Sequence, residues 1–311
     1  MNPPGLRVAV SEEDDMGDYG RPLEFGYFLV PNTGDPLLET ARLADRLGLD
    51  LIGIQDHPYQ RGYVDTWTLL SMVAAVTERV RVFPDVASLP LRQPAVLAKA
   101  AASLDVLSGG RAELGLGAGA FWEAIGAFGG PRRTPGEAMG ALEEAVEIIR
   151  QVWSGGRGLR FDGEHYTLSG ANAGPVPAHD IGIWLGVKGP RGLALAGRAA
   201  DGWVPSSSWA TPEVLAESHA RIDEAAAAAG RDPAAIRRIY NVNGAITDGE
   251  SRGFLHGPPD QWVEELTDLA VGHGMDAFVL WPEGDQHKQL ERFATEVVPA
   301  VRDQVRHERE G

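Results

Sequence analysis

Short apolar runs alternate with amphipathic segments from Phe25 to the end of the chain. The amphipathic segments repeat with a period near 3.6 residues, which is typical of helices with one buried face. The clearest of them, 136–153, has a single apolar stripe of Met139, Leu142, Val146, Ile149 and Trp153. The apolar runs are shorter and have the length of buried strands. We find eight of these runs, at 25–30, 51–55, 80–87, 112–117, 181–187, 203–205, 239–245 and 277–281.

Prolines mark the starts of several predicted helices. Because proline lacks an amide hydrogen and already has a helical φ, it is favoured in the first turn of a helix. Five prolines stand where an amphipathic segment begins: Pro36, Pro94, Pro190, Pro212 and Pro259. The chain therefore reads as a strand followed by a helix, repeated along its length.

Eight strands that alternate with helices predict one closed (β/α)8 TIM barrel. Intervening helices make neighbouring strands parallel with right-handed crossovers, and eight such units favour a barrel over an open doubly wound sheet. One departure is 155–177, where 161–166 predicts a short hairpin inserted between helix 4 and strand 5. Residues 1–22, acidic and broken by proline and glycine, predict a flexible N-terminal tail, and 23–311 predicts a single barrel domain.

Charge and cysteine content exclude several classes of protein. A formal net charge of −16 argues against a nucleic acid partner, because phosphates require clusters of lysine and arginine. The chain has no cysteine, which excludes disulfides and a catalytic thiol, and no histidine or carboxylate pattern indicates a metal site. No stretch approaches ~18 apolar residues and no signal peptide is visible, so we expect a cytoplasmic protein without a membrane span.

The residues after the second predicted strand are the strongest candidates for catalysis. His57 follows Asp56 where the strand 51–55 ends, and Pro58 halts the strand. In a barrel this position lies at the C-terminal face, where active sites are built. Histidine exchanges protons near neutral pH, which suits an acid/base role. The alternative is that His57 only hydrogen-bonds Asp56 or a backbone carbonyl.

Glycines at the end of the fourth predicted strand are a candidate ligand contact. Gly117, Ala118 and Gly119 belong to a GxGxG run that lacks the following helix and the acidic ribose ligand of a dinucleotide fingerprint. Glycines at such a position let a flat ligand approach the backbone. The alternative is that they only relieve crowding where the strands converge.

The turn after the fifth predicted strand suits an anion. It comprises Gly186, Val187, Lys188 and Gly189 and opens a helix, whose free amide groups attract negative charge. Lys188 adds a positive charge, whereas a Schiff-base role for it has no other support. After the sixth strand, Ser206 offers a hydroxyl either to a cofactor or to solvent.

Several short motifs resemble those of the luciferase-like flavin- and deazaflavin-dependent oxidoreductases. Each motif is weak alone, but together they occur in the family's order and cover most of the chain. They are DH at 56–57, DTWT at 65–68, LDVLSGGR at 104–111, LGLGAG at 114–119, ADGW at 200–203, GRDP at 230–233 and FATEVVP at 293–299.

This resemblance implies a TIM-like barrel that binds FMN or the deazaflavin coenzyme F420 at its C-terminal face. It places His57 near the reactive edge of the ring and Asp56 against the ring-binding edge. The backbone from 186 to 189 would lie along the polar tail of the cofactor, and Ala118 takes a position where relatives often have threonine. The ring would pack on a bulge of the third strand, which here holds Asp85, Val86 and Ala87.

Three departures from the deazaflavin-dependent sugar-phosphate dehydrogenases argue against glucose 6-phosphate as the substrate. Ala120 stands where those enzymes carry a glutamate after the GxGxG run, and Arg61 stands where they carry a tryptophan after the histidine. The carboxylate just past their first strand is absent near Val30 and Pro31. Without these carboxylates the expected base for a hemiacetal hydroxyl is missing.

The prediction is an F420-dependent oxidoreductase that transfers a hydride between the deazaflavin and a small organic molecule, with His57 as the acid/base. The alternative is an FMN-dependent two-component monooxygenase supplied by a separate reductase, and the alternative of another class is a non-catalytic flavin-binding barrel. By analogy with the family we expect a homodimer. The predicted substrate contacts are Tyr59, Arg61, Ala120, Phe121 and Trp122.

Overall fold

The helices and strands follow the predicted alternation through residues 17–310, which the computed structural model describes. The strands are β1 (Glu24–Leu29), β2 (Leu51–Ile54), β3 (Arg81–Pro84), β4 (Ala87–Ser88), β5 (Leu114–Gly117), β6 (Leu159–Asp162), β7 (Thr167–Ala171), β8 (Ile183–Leu185), β9 (Gly202–Trp203), β10 (Arg237–Ile246), β11 (His256–Gly257) and β12 (Ala277–Pro282). The helices are α1 (Leu37–Arg46), α2 (Thr66–Val76), α3 (Pro94–Ser108), α4 (Trp122–Ala127), α5 (Pro135–Trp153), α6 (Gly189–Ala199), α7 (Pro212–Ala228), α8 (Pro259–Val271), α9 (Gln286–Arg292) and α10 (Val298–Glu310).

A ring of parallel strands forms the centre of the molecule. Its order is β3-β2-β1-β12-β10-β9-β8-β5-β4, and every pairing along this path is parallel. β3 and β4 are two halves of one barrel strand, interrupted at Asp85 and Val86, and a further bridge between Val82 and Ala112 joins β3 to the start of β5. The predicted (β/α)8 barrel is therefore confirmed, with the predicted run 80–87 divided into two strands.

Two separate apolar clusters follow from the period-2 alternation of the strands. The larger cluster packs the outer faces of the strands against the helices. The smaller one fills the inside of the barrel with Phe28, Leu51, Phe83, Trp184, Val204, Ile239, Ala277 and Val279. Because side chains fill the interior, a ligand can only sit above it, at one end of the ring.

The predicted hairpin insertion is present between α5 and β8. β6 and β7 pair antiparallel, from Leu159 with Ala171 to Asp162 with Thr167. The carboxylate of Glu144 on α5 accepts hydrogen bonds from the backbone amides at the tip of this hairpin, at Glu164, His165 and Tyr166. The insertion is thereby attached to the barrel helix that precedes it.

Part of the predicted N-terminal tail contacts the barrel. The Tyr19 hydroxyl donates to Asp223 of α7 at 2.6 Å, and the guanidinium of Arg238 on β10 lies 4.9 Å from the Tyr19 ring centroid. Contacts with the barrel therefore begin before the predicted domain boundary at residue 22, and residues 1–16 of the predicted tail lie outside the described residues.

An ionic cluster covers the end of the barrel where the strands begin. Arg81 contacts both Glu24 and Glu113 at 2.6 Å. His179 joins the cluster through Nε2, which lies 3.5 Å from Glu113, and through Nδ1, which lies 2.7 Å from Asp105. Glu113 and Asp105 raise the pKa of His179 above its ordinary value.

Because this pKa is raised on folding, His179 stabilises the protein when protonated, and we expect a pH-dependent loss in His179→Gln. The substitution should lower the free energy of unfolding by about 1 kcal/mol, as for a partly exposed pair, and this difference should be largest below the unfolded pKa of ~6.5. It should vanish as the pH rises through the higher folded pKa. Urea denaturation of both proteins between pH 5 and pH 9 measures it, and a loss that grows with pH contradicts the assignment.

Candidate active site

The candidate residues lie at or just beyond the C-terminal ends of β2, β3, β5, β8 and β9, with Ala87 in β4, and share the end of the barrel where the strands finish. Their exposure divides them into two groups. Exposed or half-buried side chains and glycines are His57, Tyr59, Arg61, Val86, Ala118, Gly119, Ala120, Phe121, Trp122, Gly186, Lys188, Gly189 and Ser206. Buried ones are Asp56, Asp85, Ala87, Gly117 and Val187. The first group forms the surface of the site and the second lies beneath it.

His57 lies half-buried in an aromatic cluster at this mouth. Its ring stacks on Tyr59 with centroids 5.4 Å apart and meets the edge of Phe121 at 5.3 Å. Among the described residues, neither ring nitrogen of His57 forms a hydrogen bond. Burial lowers the pKa of His57, with the nearby Asp56 charge opposing this effect. The imidazole is therefore neutral at pH 7 and free to accept a proton, and the predicted alternative of a hydrogen bond to Asp56 does not occur.

Asp56 has a structural role that the sequence did not predict. Its carboxylate accepts from the Ser88 amide at 2.9 Å and from Arg92 at 2.7 and 3.0 Å, and only 1% of the residue is exposed. Arg92 in turn contacts Asp65, the N-cap residue of α2. Asp56 therefore presents no side-chain surface to a ligand and instead connects the loop after β2 to the turn after β4.

The glycines at the ends of β5 and β8 make room for Val86. A Cβ atom at Gly117 would lie 2.7 Å from a Val86 methyl group, and one at Gly186 would lie 3.0 Å from it. The valine thus fills the space that a side chain at Gly117 or Gly186 would need, which agrees with the alternative that Gly117 relieves crowding. A ligand contact at Gly117 and Gly119 stays a prediction. Val86 itself is half-buried and supplies apolar surface at the mouth.

Asp85 and Asn241 form a polar contact beneath Val86. The Asn241 amide nitrogen donates to Asp85 Oδ1 at 3.1 Å and lies 3.3 Å from the Ser206 hydroxyl. Burial raises the pKa of Asp85 to about 7. The sequence interpretation missed Asn241, although a signal was available: Ile239, Asn241 and Asn243 alternate on β10, so an amide side chain follows an inward-facing apolar one.

The turn after β8 begins α6 without a side-chain cap. Lys188 is the N-cap residue and is exposed, and Gly189 has a φ of +76°, a conformation that favours glycine. Beside this turn lies a cavity of about 220 Å³ lined by Lys188, Trp203, Trp209 and Arg221, among others. The amides of the first helical turn and the Lys188 ammonium together suit a negatively charged group.

The described part of the chain contains neither a metal-binding cluster of three or more side chains nor a membrane-spanning helix. Residues 17–310 contain no cluster of three or more histidine, cysteine, aspartate or glutamate side chains arranged to hold a metal ion. No helix among them is long and apolar enough to cross a bilayer.

Comparison with known proteins identifies relatives for most of the chain. The sequence model of the luciferase-like monooxygenases matches residues 13–253. An F420-dependent glucose-6-phosphate dehydrogenase of Kineococcus radiotolerans is 34% identical, with 91% of this chain and 98% of that protein covered. A 5,10-methylenetetrahydromethanopterin reductase of Archaeoglobus fulgidus is 33% identical, with 67% of this chain and 60% of that protein covered.

Solved structures share the fold. An F420-dependent secondary alcohol dehydrogenase, solved with an F420–acetone adduct, superposes with a TM-score of 0.81. The alignment covers 90% of this chain and 99% of that one, at 20% sequence identity. At this identity the likeness establishes the fold alone.

Proposed function

Since the chain belongs to the luciferase-like monooxygenase family, we propose that it is an F420-dependent oxidoreductase that transfers a hydride between F420 and an organic substrate. Its F420-dependent relatives, one of which aligns over 91% of this chain, support the choice of cofactor. The observation that carries the proposal is the half-buried His57 imidazole at the mouth of the barrel, which forms no hydrogen bond with the described residues and whose pKa is lowered by burial.

The residues at the mouth fit a flat ring with a charged tail. Half-buried Val86 and Trp281 offer apolar surface to the faces of a ring. Ser206 can hydrogen-bond a polar edge, and Lys188 with the first amides of α6 can hold an anionic tail. Bound F420 would supply the hydride chemistry, whereas the protein supplies orientation and electrostatics.

His57 would move the proton that accompanies the hydride. As a neutral base it can accept the proton of a substrate hydroxyl, and in the reverse direction its protonated form can donate to a carbonyl oxygen. Tyr59 and Phe121 flank the imidazole and shield it from water. Burial raises the pKa of Tyr59 to about 12, so this phenol stays neutral at pH 7 and leaves the proton exchange to His57.

The substrate differs, in this proposal, from glucose 6-phosphate. Ala120 is exposed at the mouth and carries no carboxylate, and exposed Arg61 replaces the apolar surface of a tryptophan. The exposed ring of Phe121 and the half-buried ring of Trp122 favour a substrate with apolar surface. A homodimer, a partner reductase and a cytoplasmic location remain predictions from the sequence.

Titration of the purified protein with F420 and, separately, with FMN tests the proposal. Quenching of tryptophan fluorescence and the visible spectrum of the bound cofactor report affinity, and we expect F420 to bind at least about tenfold more tightly, a difference of ~1.4 kcal/mol. Tighter binding of FMN, with oxygen consumption when reduced FMN is supplied, would instead establish the two-component monooxygenase. Binding of either cofactor without turnover of any alcohol, ketone or oxygen would favour the non-catalytic barrel.

A further inference from the structure

Two acceptor oxygens without partners lie on side chains that already touch each other beneath the mouth. Asp85 is 6% exposed and Asn241 is 2% exposed. Asp85 Oδ2 and Asn241 Oδ1 are both inaccessible to water and have no hydrogen-bond partner among the described residues. Unpaired buried polar atoms are rare and costly, and here two of them share one contact.

The contact between Asp85 and Asn241 lacks a hydrogen-bond donor for two of its oxygens. The two amide hydrogens of Asn241 point to Asp85 Oδ1 at 3.1 Å and to the Ser206 hydroxyl at 3.3 Å. An ionised aspartate has only acceptors, so the oxygens Asp85 Oδ2 and Asn241 Oδ1 cannot pair with each other. One added proton on Asp85 would supply the donor that this contact lacks, because a carboxylic acid has a donor as well as an acceptor.

No positively charged side chain among the described residues stabilises an ionised Asp85. The neighbouring elements carry Asp56 and His57 after β2, Arg92 after β4, and Arg237, Arg238 and Tyr240 on β10. Arg92 is paired with Asp56. Arg237 contacts Glu24 and Asp276, and Arg238 contacts Asp223, all on the outer side of the barrel or at its opposite end. Burial alone therefore dominates at Asp85 and raises its pKa.

We propose that Asp85 is a neutral carboxylic acid in the folded protein at mildly acidic pH and forms a cyclic acid–amide pair with Asn241. The Asn241 amide donates to Asp85 Oδ1, and the Asp85 Oδ2 hydroxyl donates to Asn241 Oδ1. This pair joins the break between β3 and β4 to β10 across the barrel. A Cβ at Gly53 would lie 2.8 Å from Asp85 Oδ2, so the glycine on β2 leaves space for the acid.

Asp85 is in this view a positioning residue. It immediately precedes Val86, whose side chain fills the space above Gly117 and Gly186 and forms apolar surface at the mouth. The neutral pair holds that surface without placing a charge under it. Its consequence for the ring of F420 rests on the proposed function, whereas the protonation of Asp85 in the apo-protein does not.

The substitution Asp85→Asn tests the pair, because an introduced amide can donate to Asn241 Oδ1 and accept from its amide nitrogen without a proton. Wild-type protein takes up a proton at Asp85 on folding between the unfolded pKa of ~3.9 and the folded value of about 7. The contribution of Asp85 to the stability of the wild-type protein therefore falls as the pH rises through that window. We expect the Tm of Asp85→Asn relative to wild type to rise by at least ~3 °C from pH 4 to pH 7 and then to level off.

Two further measurements make the test specific. The infrared spectrum of the apo-protein at pH 6 should contain a protonated carboxyl band that is absent in Asp85→Asn. Asn241→Asp, which places two carboxyls together, should lower the Tm at neutral pH, with partial recovery in acid.

Asp56→Asn is the matched control, since Asp56 is a buried carboxylate at the same mouth that is paired with Arg92. We expect it to lower the Tm at neutral pH, the opposite sign from Asp85→Asn. The proposal is overturned if Asp85→Asn also loses stability at neutral pH, if the Tm difference is constant from pH 4 to pH 8, or if the carboxyl band persists in Asp85→Asn. None of these readouts involves F420, so they stand apart from the cofactor titration.

Discussion

Replacing His57 with glutamine is expected to lower kcat by about 10²–10⁴-fold, the usual range for loss of a general acid or base. Glutamine keeps a polar group of similar reach but cannot exchange a proton near neutral pH. Because burial lowers the pKa of His57, the wild-type kcat/KM for alcohol oxidation should fall in acid with a midpoint below ~6.5. His57→Gln should lack this acid limb, and steady-state rates between pH 4.5 and pH 8 with F420 measure both effects.

Phe121→Leu is the matched control for this prediction. Phe121 contacts the same imidazole edge-on at 5.3 Å but has no proton to exchange. Its replacement should reduce kcat by less than about tenfold and leave the acid limb in place. If His57→Gln keeps both the rate and the pH profile while F420 remains bound, another group moves the proton.

The second large effect concerns stability and the buried guanidinium of Arg238. Its side chain is fully buried, with Asp223 of α7 at 2.6 Å, the backbone carbonyl of Ile236 at 3.0 Å and the Tyr19 ring at 4.9 Å. Asp223→Ala would leave this buried charge without its carboxylate, which typically costs about 3–5 kcal/mol. Urea denaturation of the apo-protein at pH 7 measures the change in the free energy of unfolding.

Substitution of the other partner, Arg238, should lower the free energy of unfolding by less. Arg238→Met removes the buried charge and leaves Asp223, whose side chain is 24% exposed and can be hydrated. Arg221→Ala on the same helix α7 is the control, because its pair with Glu217 is exposed and contributes at most about 0.5 kcal/mol. Equal losses for Asp223→Ala and Arg221→Ala would show that the Arg238 charge is solvated and not held by the pair.

Local patterns were sufficient to predict most of the architecture. The 3.6-residue stripe of 136–153 corresponds to α5, which begins at Pro135 and has a capping box between Thr134 and Glu137. The hairpin predicted at 161–166 is present and is formed by β6 and β7. Both depend on the spacing of residues that are close in the chain, which a sequence displays directly. The short helix α4 and the two-residue strand β11 were missed, because elements of this length carry no periodicity.

The sequence by itself determined the barrel, its family and the placement of His57 at the end of a strand, because hydrophobic spacing and short motifs express them locally. Only the tertiary structure decided what surrounds each group. Asp85 meets Asn241 across 156 positions of the chain, and Val86 fills the space that two distant glycines leave open. Burial and hydrogen-bond partners arise from such distant contacts. The charge state of an acid or an imidazole therefore follows from the tertiary structure and not from the local sequence.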